Sequence, residues 1–298
     1  MVSNEVFVSA VIPTVGRETL REAVESALAQ TAHLGEVIVV ADTADPLPIE
    51  PSEMVRVVRI GPGARGNAAR NLGIALARYS HIALLDDDDA WLPNKLATQF
   101  QLLNANGIDP NERNDWVVSS RFTEPSGHIR PRRLPQEGEA LPHYLFRKTA
   151  LTNGQGALHT STLLFPRALA ELVHLDETRA FHQDIDWLLR LWRRLPSLTY
   201  MVASQSLVEL NWSADSVSRS ADARGSVDWA MRTFEKGDTT TRSDFLITVS
   251  YAIALRARQP IEALRVVCTA FRSGAPSFWG VVSVIALPLK FMIQKARE

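Results

Sequence analysis

In the first ninety residues, short β-branched runs alternate with segments of helical period, and this alternation limits the fold more than any other feature of the chain. VFVSAVIP (residues 6–13) is short and ends on proline, and EVIVVAD (36–42) is continuously apolar, as a strand covered on both faces must be. VRVVRI (55–60) alternates, which puts it half-buried or near an edge, and HIALLD supplies a fourth strand. Between the first two runs Leu20, Ala23, Val24, Ala27 and Leu28 recur at helical spacing, and after the third Ala68, Leu72, Ala75 and Leu76 do the same. Such an order predicts an α/β fold with a doubly wound, mostly parallel sheet. Ligands of these sheets bind beyond the C-terminal ends of strands. Here those ends are Pro13 with Thr14, then Asp42, then the run Asp86, Asp87, Asp88, Asp89.

At 298 residues the chain is long enough for one large α/β domain and a smaller appendage. Lys plus Arg number 32 and Asp plus Glu 33, a formal net charge of −1, so no nucleic-acid partner is expected. Cys268 is the single cysteine, which excludes an intrachain disulfide framework and a cysteine zinc cage. MVSNEVFVSAVIPTVGR lacks a basic segment followed by a long apolar one, so no signal peptide is expected and the expected location is the cytoplasm.

Residues 55–93 pose the functional question. Gly61, Gly63 and Gly66 form a Gly-x-Gly-x-x-Gly run between a strand-like and a helix-like segment, and Asp86 lies twenty residues past Gly66. That is the spacing of a dinucleotide-binding fingerprint. Two strand units precede these glycines, however, whereas the fingerprint normally sits on the first strand. Three further aspartates beside Asp86 would repel an anionic cofactor and one another, and a cation would relieve that repulsion. A solvated turn, with Asp89 capping the next helix, accounts for part of the run. An EF-hand loop needs alternate acids and a glycine at its sixth position, and the run has neither. Carboxylates at i and i+2, closing a buried strand, suit a hard divalent ion that also touches phosphate oxygens.

Taken in order, VSAVIPTVGR, EVIVVAD, GNAARNLGIALA, LLDDDDAWLPNKL and HQDIDWLLRL resemble the motifs of family 2 glycosyltransferases of the GT-A fold, from about residue 6 to about residue 219. The resemblance implies an inverting transferase that uses a nucleotide-diphosphate sugar and a divalent cation, Mn or Mg. The family's aliphatic–Asp–x–Asp–Asp–x–Trp stretch matches Leu85, Asp86, Asp87, Asp88, Asp89 and Trp91. By this alignment Asp86 and Asp88 are the Asp-x-Asp pair. Asp88 is then a metal ligand, Asp86 meets the donor ribose, the metal or its water shell, and Asp87 lies at the donor. A shift of one residue, to Asp87 and Asp89, stays open. Thr14 and Arg17 correspond to nucleoside-binding positions, Asp42 to the acid that reads the base, and Arg70 to an arginine near the base or diphosphate. A surface arginine is the alternative for Arg70, and Asn71 caps or packs. The glycines then form a flexible turn with backbone N–H groups available.

In the second half, WVVSSRFT (116–123) predicts a strand and EPSGHIRPRRLPQEGEALP a long loop. Under the resemblance this loop shapes the acceptor site, with Arg130, Arg132 and Arg133 either meeting a pyrophosphate on a lipid-linked acceptor or carrying solvated charge. ALHTSTLLFPRALAELVHLDET predicts a strand and a short helix. In AFHQDIDWLLRLWRRL, Ile185, Leu188, Leu189 and Trp192 mark an amphipathic helix with His182, Gln183 and Asp184 at its start. Asp184 is either a first-turn acid favoured by the helix dipole or, by the resemblance, the catalytic base. The family usually has Glu-Asp here, so Asp184 matches and Gln183 departs. Asp186 is the nearest rival, ahead of His182. A carboxylate at a helix start is expected to be ionised at neutral pH, as a base requires. Asn211, Ser216 and Ser218 in LNWSADSVSRS are candidates for a loop closing over the diphosphate.

From about residue 227 the chemistry-bearing motifs stop. Paired helices are expected, then PSFWGVVSVIALPLKFMIQKARE, whose uncharged core (278–289) is shorter than the roughly 20 residues of a spanning helix and contains Pro288. Residues 276–298 read either as a helix lying at the inner face of a membrane or as one packed on the protein. The expected organisation is a catalytic domain over 1–226, with a nucleotide-sugar half to about residue 100 and an acceptor half beyond it, and a helical extension over 227–298. The expected partners are a nucleotide-sugar donor and a glycan or lipid-linked glycan acceptor. The alternatives are a sugar-nucleotide-binding protein without transferase activity, suggested by Gln183, and a nicotinamide-dependent oxidoreductase.

Overall fold

Burial of the early apolar runs organises the sheet seen in the computed structural model, which describes residues 6–151, 155–211, 222–234 and 238–295. Among these residues the strands are β1 (Val8–Thr14), β2 (Leu34–Ala41), β3 (Val55–Arg59), β4 (His81–Leu84), β5 (Ala90–Trp91), β6 (Trp116–Thr123), β7 (Ile129–Arg130), β8 (Leu164–Pro166) and β9 (Thr199–Glu209). The α-helices are α1 (Leu20–Leu28), α2 (Arg65–Ala75), α3 (Lys95–Ala105), α4 (Leu141–Phe146), α5 (Arg167–Leu172), α6 (Gln183–Arg194), α7 (Ala223–Thr233), α8 (Thr239–Phe245), α9 (Tyr251–Arg256), α10 (Pro260–Ser273) and α11 (Phe278–Lys295). The chain divides into two units, Met1–Arg130 with Leu158–Ala214, and Pro131–Ala157 with Asp215–Glu298.

The first unit holds the whole sheet, in the order β3-β2-β1-β4-β8-β6-β9-β5, with β7 beside β6. β3, β2, β1 and β4 are mutually parallel, with α1 crossing from β1 to β2, α2 from β3 to β4, and a helix-free segment, 42–54, joining β2 to β3. Beyond β4 the sheet becomes mixed, with β8 antiparallel to both β4 and β6 while β6 and β9 run parallel. All seven residues of β1 are buried, and β3 at the edge buries only Val55, in line with its alternating sequence. α1 buries Leu20, Ala23, Val24 and Ala27, the predicted face. α2 does not follow its predicted face. It buries Asn67, Ala69, Arg70, Gly73 and Ile74 as well as Ala68, and leaves Ala75 and Leu76 exposed. The cause is Gly73, where an added Cβ would lie 2.4 Å from Val11 Cγ1 and 3.1 Å from Val40 Cγ2. The helix backbone therefore sits directly on β1 and β2. α6 likewise turns toward Trp187 and Leu191, leaving Ile185 and Trp192 half-buried, and the Trp187 indole donates to the Val173 carbonyl at 2.7 Å.

The second unit is helical. Phe146, Trp229, Phe234 and Phe245 form an aromatic cluster with ring centroids 5.0–5.9 Å apart. Fully buried Asp244 accepts backbone N–H groups of Lys148 (2.8 Å) and Ser277 (2.9 Å), so residues 131–157, which the sequence reading grouped with the acceptor half, are tied here to α8 and to the segment before α11. α8 and α9 are joined through a π-helical turn at Leu246–Ser250. Pro288 lies within α11 and does not end it. Among the described residues no helix is long and apolar enough to cross a membrane.

Candidate active site

The aspartate run leaves β4 with its side chains alternating in burial: Asp87 and Asp89 point inward, while Asp86 and Asp88 are half-buried. Asp87 binds the loop after β1. It accepts the Thr14 hydroxyl at 2.6 Å and pairs with Arg17 Nη1, and Thr14 Oγ1 in turn accepts the Gly16 N–H at 2.9 Å. Burial opposes the Arg17 charge, but Asp87, Asp88 and Asp86 outweigh it and hold the guanidinium above its usual range. Asp89 does not cap the helix that follows, which starts six residues later at Lys95. It accepts the Ser161 hydroxyl at 2.5 Å and the Asn211 N–H at 3.2 Å, and lies 3.4 Å from His159 Nδ1. Burial pushes the Asp89 carboxyl up to about 7, with His159 opposing and the Asp86 charge adding to the rise. Burial raises Asp88 as well, joined by Asp86 and Asp87.

Arg70 is no surface arginine: only 7% exposed, it donates to Asp86 Oδ1 at 2.5 Å, to Gln183 Oε1 at 3.0 Å and to Asn67 Oδ1 at 3.2 Å. Burial would raise Asp86, but Arg70 and His159 hold its carboxyl below the usual range. The asparagines of α2 secure the segment leading to α6: Asn67 donates to the Asp176 carbonyl (2.8 Å), and Asn71 donates to the Leu175 carbonyl (2.9 Å) and accepts the Leu175 N–H (3.1 Å). Asn71 therefore packs rather than caps.

Asp184 is half-buried in the first turn of α6, with Oδ1 accepting the Ile185 N–H at 2.8 Å and Oδ2 the Thr160 hydroxyl at 3.3 Å. The helix start does not keep this carboxyl in the ordinary range. Burial raises it, against the opposing influence of His159, the Ile185 N–H and Arg70. Its rival Asp186 is 3% exposed and clamped by Arg179 Nε (2.9 Å) and Arg190 Nε (2.7 Å). Before the helix, His182 takes a left-handed backbone conformation (φ 58°), and burial and Arg179 lower its imidazole to about 4.

Asp42 stands apart from this cluster. Its carboxylate accepts the N–H groups of Ala64 (2.9 Å) and Arg65 (2.7 Å) at the start of α2, an N-terminal cap supplied by the end of β2. The Gly-x-Gly-x-x-Gly run has local reasons. A Cβ on Gly61 would sit 1.7 Å from Asp42 Oδ1, Gly63 has φ +97°, and a Cβ on Gly66 would press on Arg70 Nη1 at 3.0 Å. The run follows the third strand, not the first, and its spacing to Asp86 is incidental.

Sequence reasoning missed the segment from His159 to the 3₁₀ turn Thr160–Thr162. It brings His159 to Asp89, the Thr160 hydroxyl to Asp184, and Ser161 to both Asp89 and the Asp86 N–H (3.1 Å). Among the described residues Asp86, Asp89 and His159 form a group with ligand atoms within 4.8 Å of one another, and Asp88 is not part of it. Two carboxylates and an imidazole make a donor set suited to a divalent ion. Arg130 lies 3.5 Å from Glu124, and Arg133 forms a two-pronged pair with Glu139 at 2.7 Å, so both have protein partners. Ser216 and Ser218 lie outside the described residues.

The model of the family described as Glycosyl transferase family 2 matches residues 9–169, more than half of the chain. An uncharacterized glycosyltransferase of Rickettsia bellii is 29% identical over 200 residues, covering 63% of this chain and 27% of that protein. The succinoglycan biosynthesis protein ExoO of Rhizobium meliloti is 37% identical over 107 residues, 34% of this chain and 31% of that protein. UDP-Glc:alpha-D-GlcNAc-diphosphoundecaprenol beta-1,3-glucosyltransferase WfaP of Escherichia coli is 28% identical over 121 residues, 37% of this chain and 47% of that protein. The matched segments thus span from about a quarter to about half of these relatives. Among solved structures, that of S. aureus TarS 1-349 in complex with UDP-GlcNAc superposes with a TM-score of 0.59 at 13% identity, covering 95% of this chain and 89% of that one. This likeness shows the fold.

Proposed function

Because the chain belongs to glycosyltransferase family 2, we propose that it moves a sugar from a nucleotide-diphosphate sugar to a hydroxyl of a glycan or lipid-linked glycan, with inversion at the anomeric carbon. The observation that carries this reading is the convergence of Asp86, Arg70, Gln183 and Asp184, from three different elements, on one cluster. TarS was crystallised with UDP-GlcNAc, and WfaP is named for a UDP-glucose donor and a diphosphoundecaprenol-linked sugar, which supports a nucleotide sugar and a glycan acceptor here.

Asp184 takes the proton of the acceptor hydroxyl, and its raised affinity for protons favours that role. As the acceptor oxygen bonds to the anomeric carbon, the bond from that carbon to the diphosphate oxygen breaks, and the nucleoside diphosphate leaves with the electron pair. Arg70 offsets charge on the leaving diphosphate, a role its contacts to Asp86 and Gln183 support. Asp86, Asp89 and His159 are the proposed ligands of a divalent ion, with Asp88 the alternative second carboxylate. When bound, such an ion neutralises the departing diphosphate. Thr14, Arg17 and Asp87 shape the nucleoside side, and Asp42 carries the base-reading role. A cytoplasmic location goes with such a donor.

A thermal-shift series with UDP, GDP, dTDP and CMP sugars, with and without manganese, tests the binding half, since a ligand that binds only the folded state raises its melting temperature. Release of nucleoside diphosphate on adding an acceptor tests the transfer half. Binding with neither transfer nor donor hydrolysis would reduce the protein to a sugar-nucleotide-binding module. His159→Ala and Asp88→Ala separate the two ligand sets, because loss of the manganese-dependent shift in the first alone selects Asp86, Asp89 and His159.

A further inference from the structure

Helices α10 and α11 carry an apolar surface that the helical unit does not cover. On α10 Ile261, Leu264 and Phe271 are 73%, 66% and 48% exposed, and their spacing of three and seven residues sets them along one face. On α11 Phe278, Ile285 and Leu289 are 71%, 72% and 53% exposed, at spacings of seven and four. The packing is done by other faces, through Ala263, Val266 and Ala270 on α10 and Gly280 and Ser283 on α11. Single exposed apolar side chains are ordinary, but each of these two successive helices carries three large ones at helical spacing.

The charge around that surface selects its partner. From the end of α9 through α10, Arg256, Arg258, Arg265 and Arg272 stand against one acid, Glu262. Glu262 is already paired with Arg224 and with Arg265 at 2.7 Å. Arg256, Arg258, Arg265 and Arg272 are exposed.

We propose that the exposed faces of α10 and α11 dock on an anionic lipid surface, the apolar side chains entering the boundary between headgroups and acyl chains and the arginines meeting lipid phosphates. An amphipathic helix lies in a membrane interface in this way, and each basic residue near an anionic surface strengthens the contact. The described helices are too short or too polar to span, so the contact is interfacial. A second copy of the chain fits less well, since a two-fold pairing of this face would set its arginines against their own copies. The proposal stands independently of the reaction proposed above.

Flotation of the full chain on vesicles of phosphatidylcholine, with and without phosphatidylglycerol, tests it. The protein is expected to float with the anionic vesicles and to remain below with the neutral ones. A variant carrying Ile261→Glu, Leu264→Glu and Ile285→Glu alters exposed positions only, so its melting temperature should match the parent, and its vesicle-bound fraction should fall by at least about tenfold. Arg265→Glu with Arg272→Glu should remove the preference for anionic lipid while the apolar face remains. Equal flotation of parent and variants overturns the proposal, as does a parent that stays unbound with anionic vesicles. A concentration-dependent dimer in sedimentation, dispersed by the glutamate substitutions without any vesicle binding by the parent, assigns the face to a second copy instead.

Discussion

The turn after β4 and the first turn of α6 both bring carboxylates to the same cluster, and they sort them by different geometry. The chain leaving β4 alternates, so Asp87 and Asp89 point inward to fixed partners while Asp86 and Asp88 stay half-buried. On α6, Asp184 and Asp186 are two residues apart, about 200° around a helix, so they face nearly opposite ways. Asp186 is taken by Arg179 and Arg190, and Asp184 by a hydroxyl and one backbone N–H. On α6 the number of acids in sequence overstates the number left for chemistry. The partner of each carboxylate, more than its position in a motif, separates an anchor from a reactive group.

Neutralising Asp184 should have the largest effect. Asp184→Asn keeps the shape and can still accept the Ile185 N–H, but it cannot take a proton at neutral pH. Transfer should slow by about 10²–10⁴-fold, the range for loss of a general base, with donor affinity measured by calorimetry largely unchanged. Near-normal initial rates in a folded Asp184→Asn protein would return the residue to a helix-start role.

Asp186→Asn is the counterpart and should fail in the other currency. It takes the shared carboxylate from Arg190 and leaves Arg179 only Asp176, at a cost of about 1.5–3 kcal/mol for hydrogen bonds to a charged group. Urea unfolding should report that loss, while turnover per folded molecule holds. A large loss of turnover at full stability would exchange the roles of the two aspartates.

These contrasts also show what the sequence can and cannot carry. The parallel strands β1 to β4 were legible because burial on both faces demands unbroken apolar runs, and edge strand β3 because it alternates. The buried faces of α2 and α6 were not. Gly73 lets α2 settle backbone-first on β1, and a helix sequence does not reveal that its contact is a missing side chain. The pairing of two-residue β5 with the far end of β9 leaves no local pattern at all. In the site, Asp86, Arg70 and Asp184 could be found by resemblance to a family. His159, Thr160 and Ser161 could not, because their link to the aspartate run spans some seventy residues of chain and rests on a single 3₁₀ turn.

Gly61→Ala reaches another carboxylate, Asp42, which the resemblance gave to the donor base and the structure bonds to the start of α2. With a Cβ 1.7 Å from its Oδ1, the Asp42 side chain must leave Ala64 and Arg65. The lost cap should cost about 0.5–2 kcal/mol. If Asp42 also reads the base, donor affinity should drop in the same variant, and unchanged affinity in calorimetry would confine Asp42 to capping.

A further effect lies beside the first turn of α6, at His182, and its sign follows from burial. The folded imidazole is lowered to about 4, by burial first and Arg179 second, whereas an unfolded histidine titrates near about 6.5. Between these values the unfolded chain binds a proton that the folded chain does not. Stability supplied by keeping this ring neutral is therefore complete above about pH 6.5 and is lost as the pH falls toward about 4, a loss of about 1 kcal/mol at about pH 5.5. His182→Asn removes the titrating group and keeps a residue type that tolerates the left-handed backbone at φ 58°. Urea midpoints measured across this window should fall less steeply in the variant than in the parent, with the two curves converging in slope above about pH 7. Parallel curves throughout would mean that His182 is protonated in the fold as readily as in the unfolded chain, and the polar surroundings of the α6 start would then have to be counted as open to water, Asp184 included.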